Sequence, residues 1–211
     1  MRNKIRICYY NLFSHFYDAF VALHSGDSGG RLRDHLARKV GLKRGDAVLD
    51  ICTGTGATLP SLRKRVDEEG MVIGLDFSRG MLRAARSKLA SYPNIFLIEA
   101  DVSNLPFKND VFSGVTCSHA FYELKGDAPV KCLREIHRVL MKGKHFLMME
   151  HEVPENRFVR MLFFVRIFFM GWKKALEILR DEERIFRNNF NWVEKSKTED
   201  GKSKIVVCEK G

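Results

Sequence analysis

The run Val48-Leu49-Asp50-Ile51-Cys52-Thr53-Gly54-Thr55-Gly56 decides the fold. An apolar strand runs into a glycine-containing turn, and a helical pattern opens at Leu59. Glycine in such a turn lets the polar part of a ligand approach the backbone closely, at the amino end of the helix that follows. Alone, the same pattern also serves as an ordinary tight strand-to-helix turn. Leu59 stands where a dinucleotide fingerprint would place Gly or Ala, which counts against a dinucleotide site.

Outward from this turn, apolar runs and helical patterns alternate. Upstream lies a helix candidate from Arg31 to Val40, and Ala47 to Cys52 is the first strand. Downstream come a helix near Leu59 to Glu68, a strand from Met71 to Leu75, a helix from Ser78 to Leu89 and a strand near Ile95 to Glu99. A strand from Val111 to Cys117, a helix from Pro129 to Leu140 and a strand from His145 to Met149 continue the series. Alternation of this kind implies crossover units and a mainly parallel sheet covered by helices. The tail differs, because Trp192 to Ser196 and Lys204 to Cys208 read as two strands joined by the polar segment 197–203, a hairpin signal. The expected architecture is α/β and Rossmann-like: a seven-stranded, mostly parallel sheet with an antiparallel C-terminal hairpin and helices on both faces.

A length of 211 residues with 45% hydrophobic content fits one domain. Within it the patterns predict an N-terminal helical cap over 1–30, a core over 31–151, apolar and basic lid or cap helices over 152–188, and the hairpin over 189–211. The formal net charge of +10 favours an anionic contact: nucleic acid, a phospholipid surface or an acidic substrate. Five scattered cysteines, with no C-x-x-C pair and no zinc-ligand spacing, predict reduced thiols in a cytoplasm and no metal site. Polar residues interrupt the stretch after the basic N-terminus, so no export signal is evident.

Two acidic residues extend the pattern of the first turn. Asp76 ends the second strand about twenty residues beyond Gly56, where a carboxylate can accept from both hydroxyls of a ribose or can cap a helix. Asp101 follows the third strand, where it can accept from an adenine amino group or cap a loop. Together these features sit at the carboxyl ends of three successive strands, the crevice in which open parallel sheets bind ligands.

The order 48–56, then Gly74-Leu75-Asp76-Phe77-Ser78-Arg79-Gly80-Met81-Leu82, Glu99-Ala100-Asp101-Val102-Ser103-Asn104-Leu105-Pro106-Phe107 and Asp110-Val111-Phe112 resembles the class I methyltransferases that use S-adenosylmethionine. The similarity covers roughly residues 9–150 and is greatest to quinone-biosynthesis C-methyltransferases and bacterial phospholipid N-methyltransferases. It implies that Asp50 and the Gly54 to Gly56 turn hold the methionine part, Asp76 the ribose, and Asp101 with the Val102 backbone the adenine. Cys52, Thr53, Phe77, Met81 and Ser118 complete the implied cofactor set. Tyr17-Asp18 is similar to an early Tyr-Asp pair whose aromatic ring covers the cofactor, although Tyr17 also suits plain core packing.

Departures from that pattern bear on the acceptor. Cys52 stands where Gly or Ala is usual, and in the turn expected over Arg138 to Lys144, Lys142 replaces a usual Pro and Lys144 a usual Gly. The segment Ser118-His119-Ala120-Phe121-Tyr122-Glu123 lacks the Arg-Asn pair of quinone methyltransferases. Methyl transfer is an in-line displacement that needs the acceptor aligned about 3 to 3.5 Å from the methyl carbon and no covalent protein nucleophile. A base helps when the acceptor is an acidic carbon, a hydroxyl or a protonated amine; His119, Tyr122 and His151 are the catalytic candidates at the expected mouth.

The stretch from Asn156 to Trp172 is apolar nearly all round, with arginines among phenylalanines. A helix from Phe158 to Met170 would span about 20 Å, short of a hydrocarbon core of roughly 30 Å. It therefore reads as a buried or homodimer helix, or as a lid touching a lipid surface through 157–174, on the inner face of a membrane. The expectation is a small lipophilic acceptor of the quinone type. The alternatives are phospholipid N-methylation, a nucleic-acid methyltransferase and a non-catalytic cofactor-binding protein. Nucleic acid is disfavoured by the absence of an N-P-P-Y motif, of paired catalytic cysteines and of an appended binding module.

Overall fold

The computed structural model describes residues 30–151, 182–198, 201 and 203–211. The strands are β1 (Ala47–Ile51), β2 (Met71–Asp76), β3 (Ile95–Glu99), β4 (Phe112–Ser118), β5 (Leu140–His151), β6 (Trp192–Lys197) and β7 (Ser203–Glu209). Between them run α1 (Arg31–Lys39), α2 (Leu59–Val66), α3 (Arg79–Leu89), a 3-10 turn at Phe121–Glu123 and α4 (Ala128–Val139). The expected element types and order hold across the described residues.

All seven strands form one sheet in the order β3-β2-β1-β4-β5-β7-β6. β1 to β5 are parallel, while β7 runs antiparallel to both of its neighbours, β5 and β6. The hairpin is thus folded into the sheet so that its later strand lies inside and its earlier strand forms the edge. Period-2 alternation explains the layers. Leu49, Ile51, Leu75, Val115, Phe146 and Met148 face one core, closed by Cys132, Leu133 and Ile136 of α4 and by Phe186 and Phe190. Val48, Val72, Leu147, Met149 and Val207 face the other, closed by α1, α2 and α3 through Leu36, Leu62, Val66, Ala85 and Leu89.

Of the expected lid region, only its C-terminal end lies within the described residues. There 182–187 is helical, and Phe186 is fully buried, stacked on Phe146 with ring centroids 6.2 Å apart. The 157–174 stretch lies outside the described residues. Among the described residues, no helix is long and apolar enough to cross a membrane.

The turn expected over Arg138 to Lys144 takes a different form. β5 begins at Leu140, directly after α4, and the pairing with β4 steps from Phe112↔Leu140 to Gly114↔His145, so the extra residues bulge out of the ladder. Gly143 supplies the left-handed backbone of that bulge at φ +70°, and its N–H donates to the Lys210 carbonyl at 2.7 Å. The next neighbour along the sheet thereby fills the role that a free turn would have had.

Strand order reverses between β1 and β4, which opens a crevice at their carboxyl ends. Gly56, beside it, is fixed by packing: its φ is +76°, and a Cβ there would lie 2.7 Å from Leu89 Cδ1 and 3.2 Å from Ala85 Cβ. Its small size serves the approach of α3 to the turn. Gly56→Ala is therefore expected to lower stability by roughly 2 to 4 kcal/mol, from backbone strain plus overpacking, measured by urea denaturation.

Candidate functional site

The site is built on the first turn. Asp50, 1% exposed, accepts from Thr53 Oγ1 at 2.7 Å and from Thr116 Oγ1 at 2.6 Å. Thr116 is its register partner on β4, so one carboxyl ties the turn to both walls of the crevice. Cys52 adopts φ +52° and Gly54 φ +57°, while the Thr53 N–H donates to the Leu75 carbonyl at 3.0 Å. Cys52 is half-buried, and the buried Cys117 thiol, held well above its usual range, lies near it.

Asp76 connects this turn to α3. Its Oδ2 accepts from the Gly54 N–H at 2.9 Å and its Oδ1 from the Ser78 N–H at 2.8 Å. The hydroxyl of Ser78, the N-cap of α3, accepts from the Met81 N–H at 3.3 Å, and the Met81 side chain is buried. The Phe77 amide also acts on this carboxyl, so backbone N–H groups from the turn and from the start of α3 converge on it. A carboxyl held in place by backbone amides at the end of β2 suits a vicinal diol such as a ribose. Phe77, Cys52, Gly54, Ser118 and His119, which follow or flank the carboxyl ends of β2, β1 and β4, are half-buried.

Asp101 is exposed; its Oδ1 accepts from the Ser103 N–H at 2.8 Å and its carbonyl from the Asn104 N–H at 3.0 Å, which makes it a loop cap. The Ala100 N–H donates to the Asp76 carbonyl at 3.1 Å, which brings this loop against the end of β2. Val102 is buried below it. Farther along, Arg138 donates to the carbonyls of Leu105 at 2.9 Å and Phe107 at 2.7 Å, and Glu135 accepts from the Leu105 N–H at 2.7 Å. The loop is thus stapled to α4.

On the far side of the crevice, His119 follows β4 at φ +54°, with its N–H donating to the Met149 carbonyl at 2.7 Å. Tyr122 donates its hydroxyl to Glu182 Oε1, and Lys204 Nζ lies 4.9 Å from its ring centroid. Tyr17 and the side chain of His151 lie outside the described residues; the His151 backbone pairs with Ser203. The structure therefore brings Cys52 to Gly54, Asp76, Phe77, Ser118 and His119 to one crevice, and turns the Tyr122 hydroxyl toward Glu182.

Several residues escaped the sequence reading. Thr116 was hidden within an apolar strand, its register with Asp50 being the signal. Glu150, one residue before the end of β5, is 4% exposed and accepts from the Phe121 N–H at 2.7 Å and the Tyr122 N–H at 3.4 Å. A lone acid closing the apolar run from Phe146 to Met149 is the mark that could have found it. Lys204, also buried, donates to Glu182 Oε2 at 2.7 Å.

Burial governs the electrostatics. It pushes Asp50 up to about 6 against the hydroxyl bonds of Thr116 and Thr53, raises Asp76 against the Ser78 and Gly54 amides, and pushes Glu150 up to about 8.

Residues 48–143 match the family model described as a methyltransferase domain. The chain is 34% identical over 163 residues to a 2-phytyl-1,4-naphtoquinone methyltransferase from a Nostoc species, covering 74% of this chain and 69% of that protein. It is 27% identical over 195 residues to a demethylmenaquinone methyltransferase from Staphylococcus epidermidis, covering 92% and 78%. A SAM dependent methyltransferase structure from Aquifex aeolicus shares the fold, with a TM-score of 0.66 at 20% identity over 87% of this chain and 94% of that chain.

A carboxyl raised by burial contributes stability that is complete below its ordinary value near 4 and is lost as pH rises through its folded value. Asp50 and Glu150 therefore predict stability falling by on the order of 3 kcal/mol or more between pH 5 and pH 8. His137, lowered by burial, opposes this below about 6.5. Denaturant melts across that range should show the fall, and Asp50→Asn should flatten its lower part while leaving the part above pH 6.

Proposed function

Because this chain belongs to the S-adenosylmethionine-dependent methyltransferases, we propose that it methylates a small lipophilic acceptor of the quinone type. The observation that carries the cofactor half is Asp76, whose two oxygens hold the turn after β1 and the start of α3 at the carboxyl end of β2. The acceptor half is supported by relatives named for naphthoquinone and demethylmenaquinone methylation.

S-adenosylmethionine supplies a methyl group already activated on a sulfonium. For the protein, the task is alignment. In this reading Asp50 stiffens the turn, and Cys52, Thr53, Gly54 and Gly56 receive the methionine part. Asp76 accepts from the ribose hydroxyls, Asp101 and the Val102 backbone meet the adenine, and Phe77, Met81, Ser118 and Tyr17 shape the walls. Of the three proposed catalytic side chains, His119 stands at the mouth, Tyr122 is engaged with Glu182, and His151 ends β5. Proton acceptance from a hydroxylated ring then falls first to His119. The 157–174 stretch is assigned to lipid contact or pairing of two copies, on the cytoplasmic side of a membrane.

Removing the Asp76 carboxylate deletes two charge-assisted hydrogen bonds of about 1.5 to 3 kcal/mol each. Calorimetric titration with S-adenosylmethionine should show Asp76→Ala binding weakened roughly a hundredfold or more. Labelled methyl from the cofactor, incubated with a lipid extract, should move with the quinone fraction. Movement with phospholipid would replace the acceptor assignment, and no binding by folded wild-type protein would overturn the cofactor assignment.

A further inference from the structure

The ends of β4, β5 and β7 enclose charges that cofactor binding leaves unexplained. The 3-10 turn Phe121–Glu123 has no side-chain cap of its own, since Ala120 stands at its N-cap. Its internal bonds run from the Glu123 N–H to the Ala120 carbonyl and from the Leu124 N–H to the Phe121 carbonyl, which leaves the Phe121 and Tyr122 N–H groups to be satisfied from outside. Glu150 Oε1 takes both, at 2.7 and 3.4 Å. Met149, its neighbour on β5, takes the His119 N–H on its carbonyl at 2.7 Å. Two consecutive residues of β5 thus hold three amides of one loop.

We propose that Glu150 is a positioning residue of the acceptor side: by gripping the Phe121 and Tyr122 amides, its carboxyl fixes the 119–123 loop, and with it His119, against the methyl-donor turn. This deepens the reading of His119 as part of the acceptor side and rests on it. A main-chain acceptor would cost less to bury; a carboxyl on a rigid strand reaches two amides of a loop some thirty positions earlier in the chain.

The groups facing Glu150 decide how it behaves with pH. Lys204 of β7 is its register partner, with an ammonium committed to Glu182 at 2.7 Å, and Lys195 of β6 reaches the same Glu182 oxygen at 3.3 Å. From the loop come Tyr122 and Glu123, and from β4 the thiol of Cys117. The Lys204 ammonium favours a charge on Glu150, Glu123 opposes it, and desolvation by burial outweighs both. Burial accordingly raises the carboxyl to about 8, and since a loop opened to water lets it ionise in its ordinary range, opening grows progressively more favourable as pH rises toward 8 and levels off above that value.

The test combines hydrogen-exchange protection over 119–124, transfer kinetics with a demethylated naphthoquinol, and calorimetry with S-adenosylhomocysteine. Glu150→Ala should cut protection of the loop at least tenfold and the acceptor kcat/KM at least tenfold, with the S-adenosylhomocysteine Kd changed less than threefold. Glu150→Gln, whose amide oxygen still accepts both N–H groups, should restore most of each loss. Wild-type protection over 119–124 should fall from pH 6 to pH 8 and level off above it, and Glu150→Gln should abolish that dependence. Unchanged protection in Glu150→Ala, or Gln rescuing nothing, overturns the proposal. Should the alanine variant not fold, equal pH dependence in wild type and Glu150→Gln overturns it. If wild-type protein transfers no methyl to the naphthoquinol, the acceptor assignment fails, while the exchange measurements still decide the role of Glu150.

Discussion

A single buried carboxyl, Asp50, is the constraint around which the cofactor side is assembled. It is sealed between two strands, where an unpaired acid would be expensive, and it stays because two threonine hydroxyls reach it from different directions. Thr116 joins it to β4 across the register, and Thr53 joins it to the turn. These are the two sides of the place where strand order reverses. Fixing both with one group makes the crevice rigid before any ligand arrives, as binding sites made of precisely placed polar groups require.

The rest of the crevice is mostly backbone. Asp76 and Ser78 bind main-chain amides, Cys52 and Gly54 curve through left-handed conformations, and the Asp101 loop is pinned by Arg138 and Glu135. In the proposed reading this backbone surface meets the donor, and the acceptor side uses side chains instead: His119, Tyr122 and the charges behind them.

Much of this architecture is legible in the sequence. Apolar runs with period 2 between amphipathic helices marked the strands, and Asp50, Asp76 and Asp101 fell at strand ends because the pattern counts residues reliably over short spans. What escaped depends on partners far away in the chain. Glu150 looks like a polar residue closing a strand until Phe121 and Lys204 are beside it. Tyr122 looks like an open phenol until Glu182, sixty residues later, takes its hydroxyl. The bulge at Gly143 is equally invisible, since the Lys210 carbonyl that steadies it comes from beyond β7. The packing role of Gly56 is hidden in the same way, since Leu89 and Ala85, which crowd it, come from α3.

The position of β7 bears on how the molecule is made. Its residues 203–209 emerge during synthesis after the other six strands, yet they lie between β5 and β6, inside the sheet. Until they arrive, the strand carrying Phe146, Leu147, Met148 and Met149 offers an unpaired, apolar edge. A nascent chain at that stage has a nearly complete crevice and an adhesive flank, the condition in which partly built α/β domains associate with one another or with chaperones. Completion of the sheet and burial of Lys204 against Glu182 then come in one late step, so the charges behind the acceptor side are assembled last.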